Sequence, residues 1–281
     1  MLRDPRNPRW DCLLFFLFIP LLVVMIFLLV QKYPQLIFSL ALNYHDPTPL
    51  SLIASSYTHV SIGHITINLL GYYVTIFLIF TLRGDRLKFY INMGMIFLVL
   101  PVVLSTLSIV YNQNTGYGMG LSVIGAGLKG YLLYSVYDFV KHEWKIPLDK
   151  SFVYLVCLFN LLILSLTYHW IGVTVVLSAL MFVTGYLCKN GILQILQRII
   201  LNYECCKNSH NSKHRNLFQL ETFLLILVYL FGISPSLFPA NIISAEGVVT
   251  GIFAHYIGYI FGIFVPLLIV DKVYFQIRDR H

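Results

Sequence analysis

Four residues suited to acyl-transfer chemistry lie in or beside apolar stretches of this chain: Ser122, His255, His64 and Asn68. A serine becomes a nucleophile when a histidine within hydrogen-bond reach takes its proton. An asparagine and a second histidine can donate to the oxyanion formed when a carbonyl is attacked. Each residue alone has a plainer explanation. His64 and Asn68 are spaced i,i+4 and share one helical face, as a polar helix-packing seam would require. Ser122 opens a small-residue stripe with Ala126 and Gly130, where a serine can simply be small. Gly247, Gly251, His255, Gly258 and Gly262 form one glycine face with a histidine at its centre. Glycine costs stability inside a helix, so this face argues for close packing against a neighbour, at which His255 is then aimed. The joint pattern is more specific than its parts, because two packed small-residue stripes bring a serine and a histidine together.

The elements that must position these residues follow from composition. Hydrophobic residues make up 58% of the 281, charged residues 11%, and the mean hydropathy is +0.78, outside the range of ordinary soluble domains. Apolar runs at about 12–30, 64–82, 89–111, 120–140, 151–167, 171–187, 217–233 and 247–270 each approach the length of about 20 residues that a helix needs to cross a bilayer. No ten-residue alternating pattern recurs, which argues against a membrane β-barrel. The expected fold is therefore an all-α polytopic membrane protein with about eight transmembrane helices, forming one membrane domain over 1–281.

Charge sets the expected orientation. Eight spans create nine flanking segments, and the odd-numbered ones hold 17 of the 19 Lys and Arg residues; Lys32 is in an even segment and Lys129 within a span. The positive-inside rule then places both termini on the cytoplasmic side, with the net charge of +7 a product of topology rather than nucleic-acid binding. The first apolar run is long for a signal peptide and lacks a small-x-small site before Gln31 and Lys32, so it is expected to stay as the first span. The second, fourth and last spans run in the same direction, which brings His59, His64, Asn68, Ser122 and His255 toward one external surface. Cys12, Cys188, Cys205 and Cys206 fall near the reducing face, and no disulfide framework is expected.

At this point the chain resembles the rhomboid family of intramembrane serine proteases. The matching residues are His59 and His64 with Asn68, Gly120-x-Ser122, and Ala254-His255-x-x-Gly258-x-x-x-Gly262, in the family's order and sidedness. The resemblance covers about 12–140 and 247–270, which supply five helices of the family's six-helix core. It implies Ser122 as nucleophile, His255 as general base, and Asn68, His64 and the Ser122 amide as the oxyanion hole, with His59, Gly120, Gly258 and Gly262 in support. It implies hydrolysis of a peptide bond in or near a transmembrane segment of a membrane-protein substrate, with no metal or cofactor. Val123 stands where the family usually has glycine after the nucleophile, and the Trp-Arg pair of the first external loop is absent. Three helices are expected within 141–246, where the family core has one between the serine and histidine helices. The additional pair, with a cytoplasmic loop at 188–216, is therefore expected to be an insertion within that stretch. A non-catalytic relative that binds or escorts membrane proteins is the alternative, and a small-solute transporter the third reading.

Other features carry less. The external loop 31–62 has an apolar middle, Gln35 to Asn43, too short to cross and suited to the bilayer surface. Residues 192–200 pattern as an amphipathic surface helix. Cys205, Cys206, His210 and His214 have zinc-ligand chemistry but not the usual Cys-x2-Cys spacing. Lys129 could be a buried partner of Asp138, or reach the surface; it lies two helical turns from Ser122, too far for a direct Ser–Lys pair. His169-Trp170 is expected at an external turn.

Overall fold

The structure, a computed structural model, describes residues 8–82, 84–111, 117–208, 221, 223–230, 252–272 and 274. It is predominantly helical. Four helices are long and apolar enough to cross a bilayer: α1 (Trp10–Lys32), α2 (Ile62–Leu82), α3 (Arg86–Tyr111) and α8 (Phe253–Val270). Helices satisfy their own backbone groups, which is the condition for lying in lipid. Asp85 caps α3, its carboxylate accepting from the Lys88 N–H at 2.9 Å.

The remaining helices are α4 (Ser122–His142), α5 (Ser151–Thr167), α6 (Ile171–Leu187) and α7 (Lys189–Asn208). α5 is apolar but shorter, and α6 turns by 67° into α7, so that this bent pair counts as at most one further span. α4 has the length of a span and a more polar composition. The reason is burial: Ile124, Ala126, Leu128, Leu132, Val136 and Val140 are all fully enclosed, and a helix surrounded by protein need not be apolar all round. Set beside the expected eight spans, four helices, or five with the bent pair, meet the length and composition of a span among the described residues. Of the apolar run at 217–233, residue 221 and residues 223–230 are described, and 223–230 are helical.

The sequence reads as one membrane domain with an insertion; its internal contacts divide it into two compact units, Met1–Leu132 with Phe253–His281, and Leu133–Ile252. In the second unit, α5 and α6 form a hairpin whose turn carries His169 at a positive φ of 55° and an exposed Trp170. The Ser165 and Thr174 hydroxyls, 2.9 Å apart, link the two helices.

The first unit has two distinct ends. At one, buried Asp11 accepts from the Arg86 guanidinium at 2.7 Å and from the Tyr90 hydroxyl, Lys88 pairs with Asp271 at 2.7 Å, and the Tyr274 hydroxyl donates to Asp85 at 2.8 Å. At the other, a two-residue strand β1 (Leu42–Asn43) pairs antiparallel with β2 (Tyr117–Gly118). The first, third and last flanking segments therefore meet at one end, and the second and fourth at the other. The 33–61 loop is strapped to α3 by the Tyr57 hydroxyl on the Phe97 carbonyl at 2.6 Å and the Ser105 hydroxyl on the Leu52 carbonyl at 2.8 Å. Within it, Ile37–Leu40 forms one helical turn with Phe38 exposed.

Candidate active site

The strand-paired end of the first unit gathers the chemistry-bearing residues. The approach to α4 begins at Gly120, whose φ of +122° is strained for any residue with a Cβ. Its N–H donates to the Ser55 carbonyl at 2.9 Å. A Cβ here would stand 2.9 Å from His64 Cε1, 3.3 Å from His64 Nε2 and 3.8 Å from Asn68 Nδ2. Gly120 is therefore required twice, by its backbone and by the two side chains of α2 that press on it.

His59 organises the same corner. Its Nε2 accepts from the Leu121 N–H at 3.2 Å and lies 3.0 Å from Asn68 Nδ2. A backbone N–H can only donate, so Nε2 carries no proton and His59 is neutral, with its Nδ1–H toward the Tyr57 carbonyl at 3.4 Å. His59 is fully buried; desolvation, with the nearby His64 second, lowers its pKa to about 4. The two imidazoles meet edge to face, centroids 5.1 Å apart. One neutral histidine thus ties the amide of Asn68 to the residue immediately before Ser122.

Ser122 begins α4, half-buried, while His255 on α8 is buried. The helices that carry them touch backbone to backbone. A Cβ on Gly258 would lie 2.8 Å from the Val123 carbonyl oxygen and 3.2 Å from Ala126 Cβ. One on Gly262 would overlap the Gly127 carbonyl, and one on Gly130 the Tyr259 carbonyl. Moving four residues along α8, from Gly258 to Gly262, moves the contact by about four along α4, from Val123 and Ala126 to Gly127 and Tyr131. The pair is therefore parallel. With Gly258 level with about residue 125, a step of three residues back along each helix sets His255 level with Ser122. The first turn of α4 also has N–H groups with no acceptor inside the helix, aimed at the same end.

The structure brings His59, His64, Asn68, Gly120 and Ser122 into one corner, with His255 at the same level of the packed pair. His59 lies in the turn before α2 rather than on it. Ala126 and Gly130 of the α4 stripe and Gly258 and Gly262 of the α8 face lie in the contact between the two helices; Gly247 and Gly251 lie outside the described residues. The pairing of Lys129 with Asp138 is not formed. The two are nine residues apart on one helix, about 13 Å, and Asp138 instead meets Tyr134 at 3.5 Å and His142 at 3.6 Å. The zinc candidate falls outside the residues whose side chains are described. Two features escaped the sequence reading: the Leu121 N–H as the partner of His59, and Ser55 as the acceptor for Gly120. A glycine before a serine helix start hints at the first, and nothing local hints at the second. No family model matches this chain, and neither a curated protein nor a solved structure matches it.

Proposed function

We propose that the chain is an intramembrane serine protease of the rhomboid type, hydrolysing a peptide bond in or near a transmembrane segment of another membrane protein. The observation that carries this reading is the parallel, glycine-mediated packing of α4 on α8, whose register puts Ser122 and His255 level at the end where Asn68 and His64 adjoin Gly120. His255 takes the proton from the Ser122 hydroxyl as its oxygen attacks the scissile carbonyl. Asn68, His64 and the Ser122 N–H donate to the oxyanion. The amine leaves with the proton held by His255, and water, deprotonated by His255, releases the acyl group and restores Ser122. In this reading the chain spans the membrane about eight times with both termini cytoplasmic, the six-helix core carries the site, and the two additional helices are inserted within 141–246.

The test is cleavage of a reporter transmembrane substrate by purified protein in detergent. Ser122→Ala and His255→Ala each abolish cleavage, and Asn68→Ala lowers the rate about 10²-fold as an oxyanion donor should. Full cleavage by Ser122→Ala overturns the reading. A second reading, a non-catalytic relative that binds membrane proteins, is favoured by one observation: buried Val123 follows the serine where the family has glycine. Absence of cleavage of several unrelated reporters by the parent protein and by Val123→Gly selects it.

A further inference from the structure

We propose that α7 lies along the headgroup layer of the bilayer and that its outer face binds anionic lipid. The inference rests on the membrane character of the chain and is independent of the protease reading. At about 100° per residue, Ile195, Ile199, Ile192, Leu196, Ile200 and Leu193, with Lys189 among them, fill one arc of α7 of about 160°, and Gln197, Asn190, Leu201, Gln194 and Arg198 fall outside it. Protein covers half of that apolar arc. Ile195 is buried, Ile192 and Ile199 half-buried, and Gly191 sits so near Leu148 that a Cβ would be 2.6 Å from its Cδ2. The other half, Leu193, Leu196 and Ile200, is 54%, 50% and 56% exposed.

Three observations identify lipid as what covers it. The preceding helix α6 buries none of its seventeen residues and exposes Val175, Val176, Phe182 and Val183, the surface of a helix wrapped by acyl chains, and its 67° turn sends α7 sharply off that axis. At the corner, exposed Tyr186 carries the Lys189 ammonium over its ring at 4.1 Å, an aromatic and a snorkelling lysine of the kind found at the water–lipid boundary. The charge is one-sided: Lys189, Arg198, Lys207, Lys213 and Arg215 against Glu204 alone over 189–216. Two copies of this face would repel, whereas an apolar ridge that includes Lys189, on a segment of net positive charge, matches an anionic leaflet.

The experiment uses the full chain in nanodiscs, with p-benzoylphenylalanine at position 196 or at position 194 and a trace of alkyne-tagged phosphatidylglycerol or phosphatidylcholine. Photolysis at 196 labels lipid, at 194 it does not, and phosphatidylglycerol is labelled over phosphatidylcholine. Lys189→Gln reduces that preference by about fivefold. Crosslinking of position 196 to a second copy of the chain overturns the proposal, as does equal lipid labelling from 194 and 196. Equal labelling of the two lipids overturns its anionic part. Gel filtration of each variant separates these outcomes from misfolding.

Discussion

At one end of the first unit, Asp11, Arg86, Lys88 and Asp271 are joined through formal charges; at the other, His59, Asn68, Gly120 and Leu121 are joined with none. Ion pairs tolerate variation in geometry, since a Coulomb attraction falls slowly with distance. A backbone N–H on an unprotonated imidazole nitrogen demands one orientation and one protonation state. The charged end can therefore hold three helices together loosely beside water, while the neutral end fixes the atoms around Ser122. In the proposed protease, charge placed at the second end would also compete for the donors that an oxyanion needs.

The largest effect is expected where both ends depend on the same contact, the α4–α8 packing. In Gly262→Ala the new methyl falls on the Gly127 carbonyl, and neither backbone can yield without parting the helices. Overpacking of this kind costs about 3 kcal/mol, so thermal unfolding in detergent should show a loss of about 6–12 °C in Tm. An unchanged Tm would break the parallel register on which the comparison stands.

The charged end is tested by Asp11→Asn. The buried carboxylate accepts from both Arg86 and Tyr90, and its loss leaves a guanidinium facing a neutral amide. Arg86 is 37% exposed, so water recovers part of the penalty, and Tm should fall by about 5 °C. Adding Arg86→Gln should restore part of that loss. Under the proposed protease reading, reporter cleavage normalised to folded protein should not change, because Asp11 is at the end away from Ser122.

Much of this was legible in sequence. The boundaries of α5 and α6 fall where apolar runs meet Lys150, His169 and Cys188, because lipid admits so few alternatives. The two small-residue stripes were legible for the same reason, since glycine at helical spacing has few uses other than close approach. The enclosure of α4 was not legible, because sequence cannot tell a lipid-facing helix from one surrounded by protein. The Asp11 cluster was missed altogether: arginines at segment ends were read for topology, and a partner 75 residues away leaves no local trace. His59 was visible as a residue and not as an acceptor, because its partner is a backbone group, which every residue possesses.

The neutral end carries a pH dependence with a definite sign. His59 is held neutral, with its pKa lowered from 6.5 to about 4, so the unfolded chain binds its proton more readily than the folded one. The contribution is fully present above pH 6.5 and is lost as pH falls from there toward 4. Between pH 7 and pH 5.5 the loss is about 1 kcal/mol, read as a falling Tm. His59→Gln keeps a group able to accept from Leu121 and removes the titration, so its slope over that window should be flatter. A parent protein with no slope there would show that the imidazole does not hold the Leu121 N–H.

The smallest effect sharpens the distinction between glycines that meet a neighbour and those that do not. Gly125 lies on α4 between Val123 and Gly127, yet a Cβ on it would meet nothing within 4 Å. Gly130, on the stripe with Ser122 and Ala126, would drive a Cβ into the Tyr259 carbonyl. Gly125→Ala should therefore gain about 0.5–1 kcal/mol from helix propensity alone, a rise of about 1–4 °C, while Gly130→Ala loses stability. The pair differ in one methyl group placed five residues apart. If Gly125→Ala destabilised as strongly as Gly130→Ala, α4 would be turned differently about its axis, and Ser122 would no longer share the surface that meets α8.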